Sequence, residues 1–572
     1  MKNQLVADIL YKIADLLDIK GEIFFKTRAY RMAAQNIEVL DEDIEVITKQ
    51  DRLQSIPGVG EALAKKIKEI VETGKLEYFE KLKKEMPEGL LALLEIPGLG
   101  PRKVSALYNE LGITNIEKLR KACLDGKLRE LDGFGEITER NILRGIQLLE
   151  KTSGRVLLNV AYDDGNRYLV YLKKCKKIDD VSLAGSLRRM KETIGDLDIL
   201  ASSKHPDEVM DYFVKYKYVQ TVLMKGPTKS SVLLNDNLQV DIRVVNRESY
   251  GAALQYFTGS KEHNVAMRSL AIKKGYKLNE YGLFDKETDK YISGKDEKKI
   301  YKKLGLDYIE PELRENRGEI EVAKKNKLPK LVGYNDMVGD FHVHSIWSDG
   351  SDSIETIAGY AKKIGYTFVG ITDHSQSLKI ANGVSEEKID KKINEIKKIN
   401  KKFSNFRVLC GTECDIKSDG KLDYSNKVLK KFDFVYIGIH TGFKMNKNDM
   451  TRRITRGMEN EYADFLAHPT GRLIGRRDPY EVDIERIIDT AKETGTFLEI
   501  NSFPDRLDLD DLHTKFAKEK GLKFVLGTDS HSVNHLSFMR FGIATARRGW
   551  LEKKDILNTY PLKEIEKVLG RG

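Results

Sequence analysis

Along the first 85 residues, apolar positions recur at helical spacing, as at Ile9, Ile13, Leu16 and Leu17, and predict consecutive short helices. One short pattern then repeats: Ile56-Pro57-Gly58-Val59-Gly60, Ile96-Pro97-Gly98-Leu99-Gly100 and, weaker, Leu131-Asp132-Gly133-Phe134-Gly135, each before a helical run. From Arg155 onward, strand and helix patterns mix. Gly195-Asp196-Leu197-Asp198-Ile199 alternates acids with apolar residues, and Gln239-Val240-Asp241-Ile242-Arg243 does the same. On strands of period two, Asp196 and Asp198 share one face, and Asp241 and Arg243 share a face of a neighbouring strand. Pro311-Glu312-Leu313-Arg314-Glu315 through Leu328-Pro329 is charged and punctuated by proline, and reads as a junction. Beyond residue 340, apolar runs such as Phe368–Ile371, Phe434–Ile437 and Phe524–Gly527 alternate with helical stretches, the rhythm of a β/α barrel.

Candidate chemistry follows from where the polar residues fall. Three acids converging from two strands suit paired hard cations with oxygen ligands, which hold attacking and leaving oxygens in phosphoryl transfer. Upstream, Gly185-Ser186-Leu187-Arg188-Arg189 offers Ser186 and Arg189 to phosphate oxygens. In the repeated turns, Gly58, Gly60, Gly98 and Gly100 let the backbone lie close to a phosphate while the next helix presents free N–H groups. Such contacts position nucleic acid without reading bases. The cation-rich stretch Phe25–Arg31 suits a phosphate backbone as well as solvent.

Six of the ten histidines fall in short strand-end contexts after residue 340: His342 and His344, His374, His440, His468 and His531. Strand C-termini carry the site in β/α barrels. His-x-His on a strand puts both imidazoles on one face, and with Glu413, Asp349 and Asp529 nearby in pattern the set suits zinc, manganese or iron.

Composition narrows the class. A chain of 572 residues, 33% charged and 40% hydrophobic, has the balance of a soluble multidomain protein. No apolar run approaches the ~20 residues of a membrane span, and the amphipathic start with Asp8 and Asp15 is not a signal peptide, so a cytoplasmic protein without a membrane partner is expected. Four cysteines make no disulfide framework; Cys410 and Cys414, which bracket Glu413, read as buried small apolar residues. The net charge of +10 permits a polyanionic partner.

The ordered motifs Gly-Ser-x-Arg-Arg, Gly-Asp-x-Asp, Val-Asp-Ile-Arg and Tyr-Phe-Thr-Gly-Ser-x-x-x-Asn make the chain, to about residue 310, resemble a family X DNA polymerase. This is the gap-filling class of which vertebrate polymerase beta is the familiar member. The glycine turns likewise resemble helix-hairpin-helix elements. The resemblance implies a nucleotidyltransferase palm in which Asp196, Asp198 and Asp241 hold two Mg2+ ions, with Mn2+ able to substitute, and Asp241 helps activate the primer 3′-hydroxyl. It also implies that Ser186, Arg189 and Gly195 hold the incoming triphosphate, with Arg243 beside the acids. Tyr256 and Phe257 would lie under the sugar and screen against a 2′-hydroxyl, Gly259 would belong to the same nucleotide site, Asn264 would touch the base and Arg268 would reach the template side. In the N-terminal helices, Lys66 falls at the position of the family's lyase nucleophile, and Lys26 and Tyr30 match its phosphate and sugar contacts. Ala62 stands where the family has a helper lysine, so the residues leave Lys66 as either a Schiff-base nucleophile or one more phosphate contact.

Residues 336 to 572 resemble the PHP (polymerase and histidinol phosphatase) family, with all nine expected ligand positions filled: His342, His344, Asp349, His374, Glu413, His440, His468, Asp529 and His531. The resemblance implies up to three Mn2+ or Zn2+ ions. One partition gives the first His342, His344, Glu413 and Asp529, the second Glu413, His440 and His468, and the third Asp349, His374 and His531. Arg476 and Arg477 serve either as phosphate contacts or as a solvated loop.

The expected fold is therefore multidomain: an all-α helix-hairpin-helix region, an α+β nucleotidyltransferase palm and thumb, and a distorted (β/α)7 barrel. Its expected bounds are a lyase-like region 1–85, fingers 86–152, palm 153–255, thumb 256–315, linker 316–335 and PHP domain 336–572. The resemblance implies a monomeric, nucleoid-associated, DNA-directed DNA polymerase acting on gapped or nicked double-stranded DNA with deoxynucleoside triphosphates in base excision repair. Its barrel would supply 3′-5′ exonuclease, 3′-phosphodiesterase and abasic-site endonuclease activity. Three other readings stay open: a repair nuclease whose polymerase core only clamps DNA, a small-phosphoester hydrolase, and a DNA-bridging protein.

Overall fold

The computed structural model describes residues 2–570 apart from positions 23, 39, 41, 88, 95, 97, 98, 132 and 153. The chain divides into two compact units, Met1–Ser153 with Gly475–Arg477, and Gly154–Ile474 with Asp478–Gly572. Among the described residues no helix is long and apolar enough to cross a membrane.

The first unit is helical. Its opening helix, Lys2–Ile19, runs 18 residues, longer than the short helices predicted, because Val6, Leu10, Ile13 and Leu17 keep one stripe buried through every turn. The glycine pattern is one structure used three times. The amides of Val59, Leu99 and Phe134 donate to the carbonyls of Ile56, Ile96 and Leu131 at 3.0, 3.0 and 3.1 Å. Those six apolar side chains are buried, so they anchor the turn, while Gly60, Gly100 and Gly135 stay exposed. A Cβ built on any of these three glycines would meet nothing within 4 Å, which leaves the mouth of each following helix open. Gly98 lies outside the described residues.

In the second unit, after the helix Leu158–Leu172, comes a five-stranded sheet: β1 (Asp180–Leu183), β2 (Asp196–Ser202), β3 (Val219–Lys225), β4 (Lys229–Leu234) and β5 (Gln239–Val245), in the order β1-β2-β5-β4-β3. Only β2 and β5 run parallel, and their register sets Asp198 opposite Asp241. Alternation does the rest: Leu197, Ile199, Val240, Ile242 and Val244 are buried beneath the acids. Two helices, Tyr250–Thr258 and Lys261–Lys273, lead into an antiparallel sheet of β6 (Tyr276–Asn279), β7 (Gly282–Asp285) and β8 (Tyr291–Ser293).

Residues 316–335 are packed at both ends. Ile320 and Ala323 join the core around the second of those sheets, and Val332 joins the core of the barrel that follows. Seven parallel strands form it: β9 (Gly339–Val343), β10 (Phe368–Ile371), β11 (Arg407–Asp415), β12 (Phe434–Gly438), β13 (Phe465–Leu466), β14 (Phe497–Asn501) and β15 (Phe524–Gly527), neighbours in sequence order. A parallel bridge between Val343 and Ser530, with the His344 amide donating to the Ser530 carbonyl at 2.8 Å, brings the last strand back to the first. Phe341, Phe368, Phe434 and Phe465 fill one end of the interior. Barrel and palm share a core, since Leu507, Phe541 and Ala544 pack with the residues under β2 and β5.

Candidate functional site

The palm acids meet as the strand alternation predicts. Asp196 is exposed, and Asp198 and Asp241 are half-buried side by side on β2 and β5. Lys229 reaches Asp241 Oδ2 at 2.7 Å, and Gln239 Nε2 donates to its Oδ1 at 2.9 Å. Burial would raise the Asp241 pKa, but these hydrogen bonds and that of Ser231 outweigh it and hold the carboxyl below its usual range. Asp198 goes the other way: burial first, then the charges of Asp196 and Asp241, push it up to about 7 against Lys229 and Arg189. Three carboxylates thus crowd a space that one lysine does not neutralise, and this donor set fits hard divalent cations.

The Gly-Ser turn is fitted onto those acids. Gly185 has φ +59°, and a Cβ there would sit 2.1 Å from Asp198 Oδ2. Ser186 is half-buried one residue on. Arg189 donates from Nε to Glu315 Oε1 at 3.0 Å and from Nη1 to the Thr258 carbonyl. Gly195 leaves room for Arg155, whose Nη1 lies 3.1 Å from where a Cβ would stand, and Gly259 does the same for Arg189. Tyr256 and Phe257 end the helix Tyr250–Thr258, and the Arg243 guanidinium lies 5.0 Å from the Phe257 ring centre. Asn264 is engaged at both ends of its amide, accepting from Gln255 at 2.7 Å and donating to the Tyr256 carbonyl at 2.6 Å. Arg268 is half-buried one turn further along the same helix.

In the first unit, Lys66 is half-buried, hydrogen-bonded to the Tyr30 hydroxyl, and 3.9 Å from the centre of the Tyr78 ring. Burial, then the charge of Lys26, lowers its pKa. Tyr78 carried no signal in the sequence; it stacks parallel to Tyr30 at 6.4 Å and walls the amine from water. Lys26 itself pairs with Glu22 at 3.1 Å.

All nine barrel residues gather at one end, around Glu413. Its Oε2 lies 3.3 Å from His342 Nε2 and 3.2 Å from His374 Nδ1, and its Oε1 lies 3.0 Å from His440 Nε2 and 2.9 Å from His468 Nε2. Asp529 Oδ1 is 3.2 Å from His344 Nε2, and Asp349 Oδ2 is 3.4 Å from His531 Nε2. Three groups have donors close enough to share an ion: His342, His344, Glu413 and Asp529; His374, Glu413 and His440; and His344, Asp349, His374 and His531. His344 thus stands with the third group as well as the first, and His374 takes the place expected for His468 in the second; His468 falls in none of the three, although its Nε2 lies against Glu413 Oε1.

The chemistry of this cluster asks for cations. His342 Nε2, both ring nitrogens of His344, His374 Nδ1 and Glu413 Oε2 are buried without a hydrogen bond among the described residues. Each such orphan costs about 1–3 kcal/mol unless something fills its valence, and five gathered in one cluster fit coordination of more than one metal ion. Burial pushes His374 down to about 3, which keeps that imidazole neutral, as ligation requires. Glu413 and Asp415 overcome burial at His440 and raise it to about 10, so an ion entering there displaces a proton. His468 and Asp529 hold left-handed backbone, φ +26° and +53°, a conformation uncommon for non-glycine residues.

A surrounding layer escaped the sequence reading. Glu499 Oε1 accepts from His342 Nδ1 at 2.6 Å, and Asp415 Oδ1 accepts from His440 Nδ1 at 2.9 Å, which turns each Nε2 lone pair toward the cluster. Buried Asp373 ties Lys392 (2.8 Å) to the Ser345 and Ser348 hydroxyls and so fixes the loop that carries Asp349. Arg506 Nε stands 3.2 Å from Asp529 Oδ2. Cys410 and Cys414 are buried, and burial pushes both thiols up to about 12. Arg476 and Arg477 fall outside the unit that carries the barrel.

Comparison with known proteins matches both halves. Family models for a helix-hairpin-helix domain (residues 1–76), a SAM-like helix-hairpin-helix tandem (90–147), a DNA polymerase beta thumb (253–315) and a PHP domain (340–503) align along the chain. A probable phosphatase of Thermoanaerobacter sp. (strain X514) is 28% identical over 234 residues, 39% of this chain and 91% of that protein. DNA polymerase lambda of Arabidopsis thaliana is 26% identical over 349 residues, 54% of this chain and 62% of that one. The DNA polymerase/3′-5′ exonuclease PolX of Bacillus subtilis (strain 168) is 39% identical over 574 aligned residues that span 100% of both chains. With an acid-bearing palm, a thumb and a histidine-lined barrel aligned end to end with that relative, the chain belongs to the PolX family, the family X DNA polymerases that carry a PHP domain.

Proposed function

We propose that the chain fills short gaps in damaged DNA with its palm and trims 3′ ends with its barrel. The observation that carries this reading is the presence, in one compact unit, of two chemically distinct centres: three carboxylates on paired strands, and a buried knot of unsatisfied imidazoles around Glu413. The working division is a lyase-like region to 85, fingers to 152, palm to 255, thumb to 315, a junction to 335 and the PHP domain beyond. The protein acts as a monomer in the cytoplasm, at the nucleoid.

In the palm, Asp196, Asp198 and Asp241 are the residues that would hold two magnesium ions, or manganese in their place. Bound there, the ions supply Lewis-acid stabilisation of the phosphoryl oxygens. Asp241, kept ionised by Lys229 and Gln239, takes the proton of the primer 3′-hydroxyl. Ser186 and Arg189 bind the triphosphate, and Gly185 lets that turn approach Asp198 closely enough to deliver it. Tyr256, Phe257 and Gly259 form the floor under the sugar, with Asn264 and Arg268 toward base and template. Exposed Gly60 and Gly100 at their helix starts face the DNA backbone and fix its register.

In the barrel, the nine clustered residues would hold up to three manganese or zinc ions, which when bound bring the pKa of water toward ~7. Glu499 and Asp415 orient His342 and His440, and Asp373 braces the Asp349 loop, so the geometry precedes the substrate. Hydrolysis at a 3′ terminus regenerates the hydroxyl that Asp241 requires, which gives the two centres a common substrate end. The lowered pKa of Lys66 supports a further step, Schiff-base release of a 5′-deoxyribose phosphate.

A one-nucleotide gap bearing a 5′-phosphate, with a labelled primer and magnesium or manganese, tests the proposal. The protein is expected to lengthen the primer by one residue when the matching nucleotide is present and to shorten it when nucleotides are withheld. Absence of lengthening under every metal overturns the palm reading. Turnover confined to small phosphoesters such as histidinol phosphate overturns the barrel reading.

A further inference from the structure

The palm segment that follows the Gly-Ser turn is gripped by the barrel. Arg548, the last residue of the barrel helix Met539–Arg548, is only 5% exposed, and its Nη1 donates both to the Arg189 carbonyl at 2.9 Å and to Glu315 Oε1 at 3.0 Å. Glu315 Oε1 is the same atom that receives Arg189 Nε, also at 3.0 Å. Arg548 Nη2 meets Asp511 Oδ2 at 2.5 Å, and Arg317 meets that oxygen at 2.9 Å. Three residues past Arg189, Glu192 is held by a second barrel arginine, Arg472, at 2.7 Å.

Two consequences follow for Arg189. Its Nε and one N–H of Nη1 are engaged by Glu315 and Thr258, so the part of the fork left for a ligand is chiefly Nη2. Its charge also depends on company. Alone with Glu315, Arg189 would be a neutral pair with little pull on an anion. With Arg548 sharing Glu315, Arg317 sharing Asp511 and Lys191 close to both carboxylates, cations outnumber acids and the cluster keeps a net positive charge, of which Arg548 supplies the part hydrogen-bonded to Glu315.

We propose that Arg548 of the barrel is a positioning residue of the polymerase centre: by sharing Glu315 it fixes the orientation of Arg189 and preserves its positive charge for the incoming nucleoside triphosphate. This rests on the assignment of Arg189 to the triphosphate made above. Polymerisation therefore depends on a barrel residue that makes no contact with the barrel's own metal-ligand cluster.

The test is steady-state gap filling by the full chain, with KM for the nucleotide and kcat determined separately, and manganese-dependent hydrolysis of bis(p-nitrophenyl) phosphate as the reading of the barrel. Arg548→Met is expected to raise the nucleotide KM roughly tenfold, the scale of one lost charge-assisted hydrogen bond, while kcat and the barrel rate stay within about twofold. Arg548→Lys, which keeps the charge, is expected to recover most of the KM. Should the Met variant not fold, Arg548→Gln is read in its place, since it keeps an N–H donor toward Glu315 without the charge. An unchanged KM in folded Arg548→Met or Arg548→Gln, beside a raised KM in Arg189→Ala, overturns the proposal. So does a parallel fall of kcat and barrel hydrolysis, which marks a merely structural role. If Arg189→Ala leaves the nucleotide KM unchanged, the triphosphate assignment itself fails and takes the proposal with it.

Discussion

Asp198 is held in a form that it must abandon to work. Its carboxyl is pushed up to about 7, against an ordinary value of 3.8, so in the metal-free protein the native state binds a proton that the unfolded chain has released. Stability therefore falls as pH rises from about 4 to about 7 and is level above that, with a total on the order of 2–4 kcal/mol. Asp198→Asn removes the term, so in the presence of a chelator its melting temperature is expected to exceed that of the wild type by a margin that grows between pH 5 and 7. An equal margin at both pH values counts against the raised carboxyl. Lys66 makes a parallel case in the first unit. Burial and Lys26 favour its neutral amine, so borohydride is expected to trap the protein on DNA carrying a 5′-deoxyribose phosphate, and Lys66→Ala to abolish the adduct. Trapping that persists in Lys66→Ala would move the nucleophile elsewhere. Residues of this kind were legible because their neighbours in sequence carried the motif. Glu499 and Tyr78 were not: a lone acid in an apolar strand and a lone tyrosine in a charged helix have no local partner that reveals what they will face.

At the scale of elements, the strand and turn patterns were the clearest. Period-two alternation placed the three acids on one face of paired strands, because the residues between them have nowhere else to go but the core. The repeated glycine turns were equally plain, since their apolar letters anchor each turn and the glycines keep its outer face open. The long opening helix was not foreseen, since its boundary depends on packing rather than on a local stop signal. Gly185 gives the sharpest element-level prediction. Gly185→Ala adds the strain of a left-handed backbone, about 1–2 kcal/mol, to an overlap with Asp198 Oδ2 that pushes the turn off the acids, so nucleotide addition is expected to collapse while 3′ shortening continues. The same primer assay reads both. Full addition activity in Gly185→Ala would mean that the turn does not bear on the acids.

Over the whole molecule, the sequence pattern divided palm from barrel more cleanly than the packing does. Residues 316–335 read as a junction because the stretch from Pro311 to Pro329 is charged and punctuated by proline, yet Ile320, Ala323 and Val332 are buried at its two ends. Leu507, Phe541 and Ala544 complete the palm core from the barrel side, a contact between residues some 300 positions apart that no local pattern encodes. Phe541→Ala is expected to cost about 3–5 kcal/mol and to lower the denaturant midpoints of palm and barrel together, measured by loss of primer extension for the palm and by loss of barrel hydrolysis for the barrel. Separate midpoints would show that the shared core does not couple them. The central claim, two separable centres acting on one DNA end, is tested most directly with the labelled primer in a one-nucleotide gap, comparing wild type, Asp198→Ala and His344→Ala with and without nucleotides. The account predicts that Asp198→Ala loses only lengthening and His344→Ala only shortening. Loss of shortening in Asp198→Ala, with His344→Ala unaffected, would contradict it.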